Sequence, residues 1–198
     1  MKDCLFYIPG FGSSSNSDKG RAISDLCAAL DWKFVALDYP SSYDPNVIHD
    51  HFVDLVKSHQ YFNAIFFGTS LGGFWANVLA KKFAGRALMV NPSMTPWTTL
   101  HSYVTDSGIV VSFDQSLKDL TAPMVDSYIY FSGIDINVNG NVVILCQDDD
   151  ILDHRIALGM FSGHSKIVLM QSGGHRADGA LNTIIDEMRF MMNREYSQ

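Results

Sequence analysis

The sequence predicts an α/β fold in which a compact parallel sheet is covered by helices on both faces. Apolar runs of strand length alternate with segments of helical period. The runs are continuous rather than in–out alternating, as expected of strands buried on both faces. Their order is β-α-β-α-β-α-β, an interruption, then β-α-β-α, the pattern of crossover units.

Leu5–Ile8 is a short apolar run closed by Pro9–Gly10 and predicts the first strand. Ser17–Leu30 carries apolar residues at 22, 23, 26, 29 and 30, a helical stripe. Phe34–Leu37 reads as the second strand. Pro45–Ser58 sets Val47, Ile48, Phe52, Leu55 and Val56 on one helical face, with Asp44 placed to cap it and Pro45 in its first turn. Ala64–Phe67 and Ala87–Val90 read as strands flanking a helix at Leu71–Phe83. Val142–Cys146 and Ile167–Met170 are two further strands, with helices expected at Asp153–Phe161 and Ala177–Met192. Between about Asn91 and Asn141 no clean period is found. That is too long for a plain connection, so residues 91–141 are expected to form a lid or cap inserted in a single domain, 1–198, the alternative being an irregular loop region packed by its own aromatics. Its aromatics Trp97, Tyr103, Tyr128, Tyr130 and Phe131 are expected to line the underside and bind substrate.

Composition narrows the function classes. A formal charge of −7 disfavours nucleic acid and anionic membrane surfaces, both of which require a basic face. No run approaches the ~18 apolar residues of a membrane span. Leu5–Ile8 is also shorter than the apolar core of a secretory signal, so a cytoplasmic, soluble protein is expected. Cys4, Cys27 and Cys146 are odd in number and widely spaced, which predicts buried free thiols rather than a disulfide or zinc framework. His49-Asp50-His51 reads as the solvated face of a helix; no metal and no organic cofactor is implied.

Gly68-Thr69-Ser70-Leu71-Gly72 is a G-x-S-x-G that follows an apolar strand and opens a helix. In that context the serine of a nucleophile elbow sits in a strained turn at the top of an α/β-hydrolase sheet. The alternative is a glycine turn with Ser70 as a helix cap. A serine hydroxyl needs a general base and the base needs an orienting acid, which in this fold follow in the chain order acid, then histidine. Of the four histidines after Ser70, His101 falls in the insertion, His154 in the first turn of a helix and His164 before its strand. His175 lies just after the last strand, behind two glycines, where a loop at the carboxyl edge of the sheet begins. The oxyanion hole needs two backbone N–H donors. Leu71, after the nucleophile, and Phe11, in the loop Pro9-Gly10-Phe11-Gly12-Ser13, are the candidates. That loop lacks the G-K-[ST] of a phosphate loop and the third glycine of a dinucleotide fingerprint.

Asp148, Asp149, Asp150 and Asp153 all follow Val142–Cys146 and so lie near the carboxyl edge. Asp153 is placed to cap the next helix. Extended backbone would turn Asp149 one way and Asp148 and Asp150 the other, and the pattern leaves open which side holds His175.

The runs FGTSLGGFWANVLAKKF…ALMVNPSMTPW, VVILCQDDDILDHRIA and IVLMQSGGHRADG resemble the small bacterial esterases of the YqiA-like family of α/β-hydrolases. Ser-Leu-Gly-Gly followed by an aromatic, then Asn-Pro after the next strand, is more specific than G-x-S-x-G. The resemblance implies a Ser-His-Asp esterase or thioesterase acting on short acyl esters or acyl-CoA. It carries Ser70 and His175 as nucleophile and base and selects Asp149 as the acid, since the family's acid is followed by one variable residue and two aliphatics, as in Asp149-Asp150-Ile151-Leu152. Family members usually begin the first loop with His-Gly-Phe, where this chain has Pro9-Gly10-Phe11. The backbone donor at Phe11 survives that change; a histidine side chain's contribution does not. The expected partner is a small-molecule ester or acyl-thioester, the alternative being a non-catalytic scaffold of the same fold that binds a ligand or protein.

Overall fold

In the computed structural model, which describes residues 1–104, 120–132 and 140–193, six strands pair in parallel. They are β1 (Lys2–Ile8), β2 (Lys33–Ala36), β3 (Tyr61–Thr69), β4 (Arg86–Val90), β5 (Val142–Cys146) and β6 (Lys166–Met170), in the order β2-β1-β3-β4-β5-β6. The helices are α1 (Asp18–Ala29), α2 (Pro45–Lys57), α3 (Leu71–Lys82), α4 (Pro96–Thr99), α5 (Ala122–Ser127), α6 (His154–Phe161) and α7 (Leu181–Asn193).

Strand side chains divide between two cores with the period of two that extended backbone imposes. From β1, Cys4, Phe6 and Ile8 enter one core and Leu5 and Tyr7 the other. The first core is closed by α2, through Ile48, Phe52 and Val56, by α3, and by Ala157 and Phe161 of α6. The second is closed by Ile23 and Leu26 of α1 and by Ile184 and Met188 of α7. Helix α3 is buried over the whole run Leu71–Ala80, which explains why its sequence is apolar almost all round. Its Trp75 meets Phe52, Tyr128 and Phe131, so α3 lies between the sheet, α2 and the segment after α5.

The strands and helices fall where the sequence predicts them, with differences at the ends. β1 and β3 both start three residues earlier than their apolar runs. The Asp3 carboxylate accepts from the backbone and side-chain N–H of Asn63, at 3.2 and 2.9 Å, joining the two strands by polar groups at the amino edge. α7 starts later than its apolar period, after a 3-10 turn at Asp178–Ala180, because Ala177 is left-handed at φ 52°. The three cysteines are buried and free. Among the described residues no helix is long and apolar enough to cross a membrane.

Parts of the expected insertion, residues 105–119 and 133–139, lie outside the described residues. Its described parts open α4 and α5 with Pro96 and Pro123 in the first turn, where a missing N–H costs nothing. Leu100, Leu120, Val125 and Tyr128 from these parts pack into the first core.

β1 has β2 on one side and β3 on the other, so the connections leaving their carboxyl ends diverge. Ligands of open α/β sheets bind in the crevice at such a switch point. The approach of α3 to this edge is set by glycine: a Cβ on Gly68 would lie 2.0 Å from the Gly72 carbonyl oxygen. Gly68→Ala is therefore expected to destabilise the fold by about 3 kcal/mol or more in urea unfolding. Gly159→Ala, in α6 with nothing within 4 Å of the added methyl, is expected to be neutral or stabilising by up to about 1 kcal/mol. Equal effects would refute the crowding argument.

Candidate active site

Ser70 stands between the end of β3 and the first residue of α3 at φ 53°, ψ −121°, a region costly for a residue with a Cβ. Backbone bonds hold it there. Its N–H donates to the Val90 carbonyl at 3.0 Å, and its carbonyl accepts from Gly73 at 2.9 Å and Ser93 at 3.0 Å. The glycines around it are demanded by space. A Cβ on Gly72 would reach the Ile8 carbonyl oxygen at 2.2 Å, and one on Gly73 the Pro92 ring at 2.7 Å. The Ser-Leu-Gly-Gly and Asn-Pro runs thus meet face to face.

Beyond β6 the chain turns through Gly173 (φ 151°) and Gly174 (φ 59°) to present His175. His175 Nε2 lies 3.0 Å from Ser70 Oγ, and Nδ1 lies 3.0 Å from both carboxylate oxygens of Asp149. An ionised carboxylate only accepts, so Nδ1 carries the proton and Nε2 offers its lone pair to the serine hydroxyl. The Asp149 side chain is 1% exposed and that of His175 16%. Burial pushes the Asp149 carboxyl up, but hydrogen bonds from His175 and from the N–H groups of Leu152 and Ile151 outweigh it and hold the group below its ordinary value. Those two amides donate to Oδ1 at 2.8 and 2.9 Å.

The other acidic residues part from Asp149 by environment. Asp153 caps α6 by accepting from the Arg155 N–H and pairs with the Arg155 guanidinium, which holds its carboxyl at about 2. Asp150 is exposed. Asp148 departs from the extended alternation expected of this stretch. Residues 147–148 turn, and the Asp149 N–H bonds back to the Cys146 carbonyl at 3.3 Å. Asp148 therefore also reaches the histidine loop, accepting from the N–H groups of Gly173 and Gly174 at 3.2 and 2.9 Å. Its part was not foreseen, and neither was that of Asn91, which appears in sequence only as the residue before Pro92. Asn91 is buried; its Nδ2 donates to the carbonyls of Gly174 and His175 and its Oδ1 accepts from the Cys146 N–H.

A cavity of about 380 Å³ opens on this group at the β1/β3 switch point. Phe11, Ser17, Lys19, Ser70, His175 and Arg176 are in its wall. The loop after β1 closes a turn from the Gly10 carbonyl to the Ser13 N–H at 3.1 Å, and Gly12 N–H donates to the Tyr43 hydroxyl, which brings Phe11 to the cavity. Leu71 is the first residue of α3, where the N–H has no acceptor within the helix.

The five aromatics expected to line the site divide among other environments. Tyr103 packs its ring tilted against Phe11, centroids 5.0 Å apart, one side chain away from the cavity. Trp97 is half-buried against the first core. Tyr128 is corrected to a core residue: it is fully buried against Phe74 and Trp75, and its hydroxyl donates to the Tyr43 carbonyl at 3.1 Å. Phe131 packs on Trp75 and His49. Tyr130 is 82% exposed, since the 3-10 turn that buries Tyr128 points its second neighbour outward. His101 pairs with Asp126 at 2.7 Å, away from Ser70, and among the described residues no cluster of His, Cys, Asp or Glu is arranged to hold a metal.

Solved structures share this architecture. Alpha/beta hydrolase domain-containing protein 10 from mouse superposes with a TM-score of 0.78 over 96% of this chain and 89% of its own, at 14% identity. Est1E from Butyrivibrio proteoclasticus gives 0.74 over 96% and 87%, also at 14% identity. The esterase domain of a Rhodothermus marinus protein gives 0.66 over 96% and 86%, at 11% identity. At these identities the likeness is one of fold, the α/β-hydrolase fold. In sequence, residues 4–191 match the profile of the Uncharacterised protein family (UPF0227), and the chain belongs to that family, the YqiA-like family of esterases.

Proposed function

We propose that the protein is a serine hydrolase that cleaves a carboxylic ester or thioester of a small or acyl substrate through an acyl-enzyme. The observation that carries this reading is the unbroken hydrogen-bonded chain from Ser70 Oγ through the His175 ring to a buried Asp149 carboxylate, at the mouth of a cavity. A ligand-binding scaffold has no need of a strained serine aligned with a base and a buried acid.

In this reading Ser70 Oγ attacks the acyl carbon as its proton passes to His175 Nε2. The imidazolium so formed keeps its Nδ1–H on Asp149, whose charge stabilises it. The developing oxyanion is served by the N–H groups of Leu71 and Phe11. Collapse breaks the bond to the leaving alcohol or thiol, which departs with the Nε2 proton. Water, deprotonated by the same nitrogen, then attacks the acyl carbon; the acyl–Oγ bond breaks, the Nε2 proton returns to Ser70 Oγ, and the acid leaves. Each step moves only protons and an acyl group, so the chemistry calls for no metal or organic cofactor. The small volume and the hydroxyl and charged side chains of the cavity, among them Tyr7, Ser17 and Lys19, suit a short acyl group better than a long alkyl chain.

Ser70→Ala should lower ester hydrolysis at least ~10³-fold with the fold retained by circular dichroism. Near-normal turnover in that variant would remove Ser70 from the mechanism, and with it the proposal.

Wild-type activity should fall on acidification, because a protonated imidazole has no lone pair for the serine proton. Asp149, held below its ordinary value, stays ionised above about pH 5 and does not contribute to that loss. His175→Ala should abolish the acidic limb in a kcat/KM profile; a limb that survives belongs to another group.

Among p-nitrophenyl esters, acetate and butyrate should exceed dodecanoate by about tenfold or more in kcat/KM. The reverse order would mean that the acyl chain is held outside this cavity.

A further inference from the structure

Resting on the hydrolase reading, we propose that Asn91 is a positioning residue: it sets where His175 stands between Ser70 and Asp149. Three strand ends must agree for that alignment. The nucleophile follows β3, the acid follows β5 and the base follows β6. Asn91, immediately after β4, touches two of the three. Its Nδ2 donates to the carbonyls of Gly174 and His175 at 3.0 and 3.1 Å, so the base's own peptide group is one of its acceptors. Its Oδ1 accepts from the Cys146 N–H at 2.8 Å, at the end of the strand that leads to Asp149. Its main chain completes the link. Asn91 N–H donates to the Ile144 carbonyl at 2.9 Å, and the residue before it supplies the Val90 carbonyl that holds the Ser70 N–H.

The residue type follows from the task. One side chain must offer two N–H donors to two carbonyls and an acceptor to an amide, in a buried position. The backbone there is left-handed at φ 42°, which asparagine tolerates better than other side chains that could bridge. Asp148 grips the opposite side of the same loop through the Gly173 and Gly174 N–H groups. Lys19 Nζ donates to the Arg176 carbonyl at 2.7 Å. Of these three, Asn91 alone bonds the His175 residue itself, so its loss lets the ring drift from both partners. A misplacement of about 1 Å in a catalytic group costs on the order of 10²-fold in rate.

The test is a cycle in kcat. Asn91→Gly removes the side chain without penalising the left-handed backbone. It is expected to lower kcat about 10²-fold with KM changed less than about threefold. In a His175→Ala background the same substitution is expected to change the residual rate less than about threefold, because there is no base left to position. Met188→Ala, a core truncation in α7, serves as a control for lost stability and is expected to keep kcat while folded. Asn91→Asp keeps an acceptor for Cys146 N–H but has no donor for the two carbonyls. It is expected to be as slow as Asn91→Gly, and it carries the test if the glycine variant does not fold. Losses that multiply in the double variant, or an Asn91→Asp with wild-type kcat, would overturn the positioning role. An active Ser70→Ala would overturn the hydrolase reading itself, a separate outcome.

Discussion

The left-handed backbone at Ser70 is the constraint on which the carboxyl edge of the sheet is built. A residue held in such a region costs on the order of 1–3 kcal/mol and persists only where its surroundings over-determine it. Here they do so with main-chain groups of known place: the Val90 carbonyl, the Ser93 N–H and the first turn of α3. Each backbone hydrogen bond is worth about 1 kcal/mol net, so three are enough to offset the strain. To deliver them, α3 must start within contact of β1, β3 and the residues after β4, and only glycines at 68, 72 and 73 admit that approach. The apolar length of α3 then follows. A helix pinned this close to the sheet has no solvated side, and Leu71–Ala80 are all buried.

The acid is fixed by different means. Asp149 is oriented by its own turn, where Ile151 and Leu152 N–H both bind Oδ1. Among the described residues no backbone N–H donates to Oδ2, and His175 Nδ1 approaches both oxygens equally. The carboxylate is therefore set before the imidazole arrives, and the charge left on Oδ2 faces the ring that gains a proton. Preorganisation of this kind costs no rearrangement at the moment of charge transfer.

Much of this was legible from the chain. Continuous apolar runs gave the strands because central parallel strands are buried on both faces, and residues 64–72 placed a serine at a strand-to-helix turn. His175 followed from its position after the last strand. The choice among Asp148, Asp149 and Asp150 was not legible from pattern, and the reason is local: the alternation assumed extended backbone, whereas residues 147–148 turn. Both Asp148 and Asp149 consequently serve the histidine loop, one through its amides and one through the ring. The aromatics of residues 97–131 misled because an aromatic without period fits a ligand wall and a core equally well. Tyr128 resolves to core only once its hydroxyl finds the Tyr43 carbonyl.

The two halves of the site are thus held by unlike bonds, and this bears on how each can vary. Ser70 is set by backbone groups and by the absence of side chains, so its geometry is indifferent to most substitutions but intolerant at three glycines. The His175 loop is set by side chains reaching from α1 and from just beyond β4 and β5: Lys19, Asn91 and Asp148. A loop held by side chains can be re-aimed by changing one of them while the sheet and the nucleophile turn stay as they are. The first loop behaves in the same way. After Pro9, the turn from Gly10 to Ser13 and the contact of Gly12 with Tyr43 bring Phe11 to the cavity. A substitution at this edge can therefore change what the base and the cavity wall touch while the serine and its strained turn stay the fixed point.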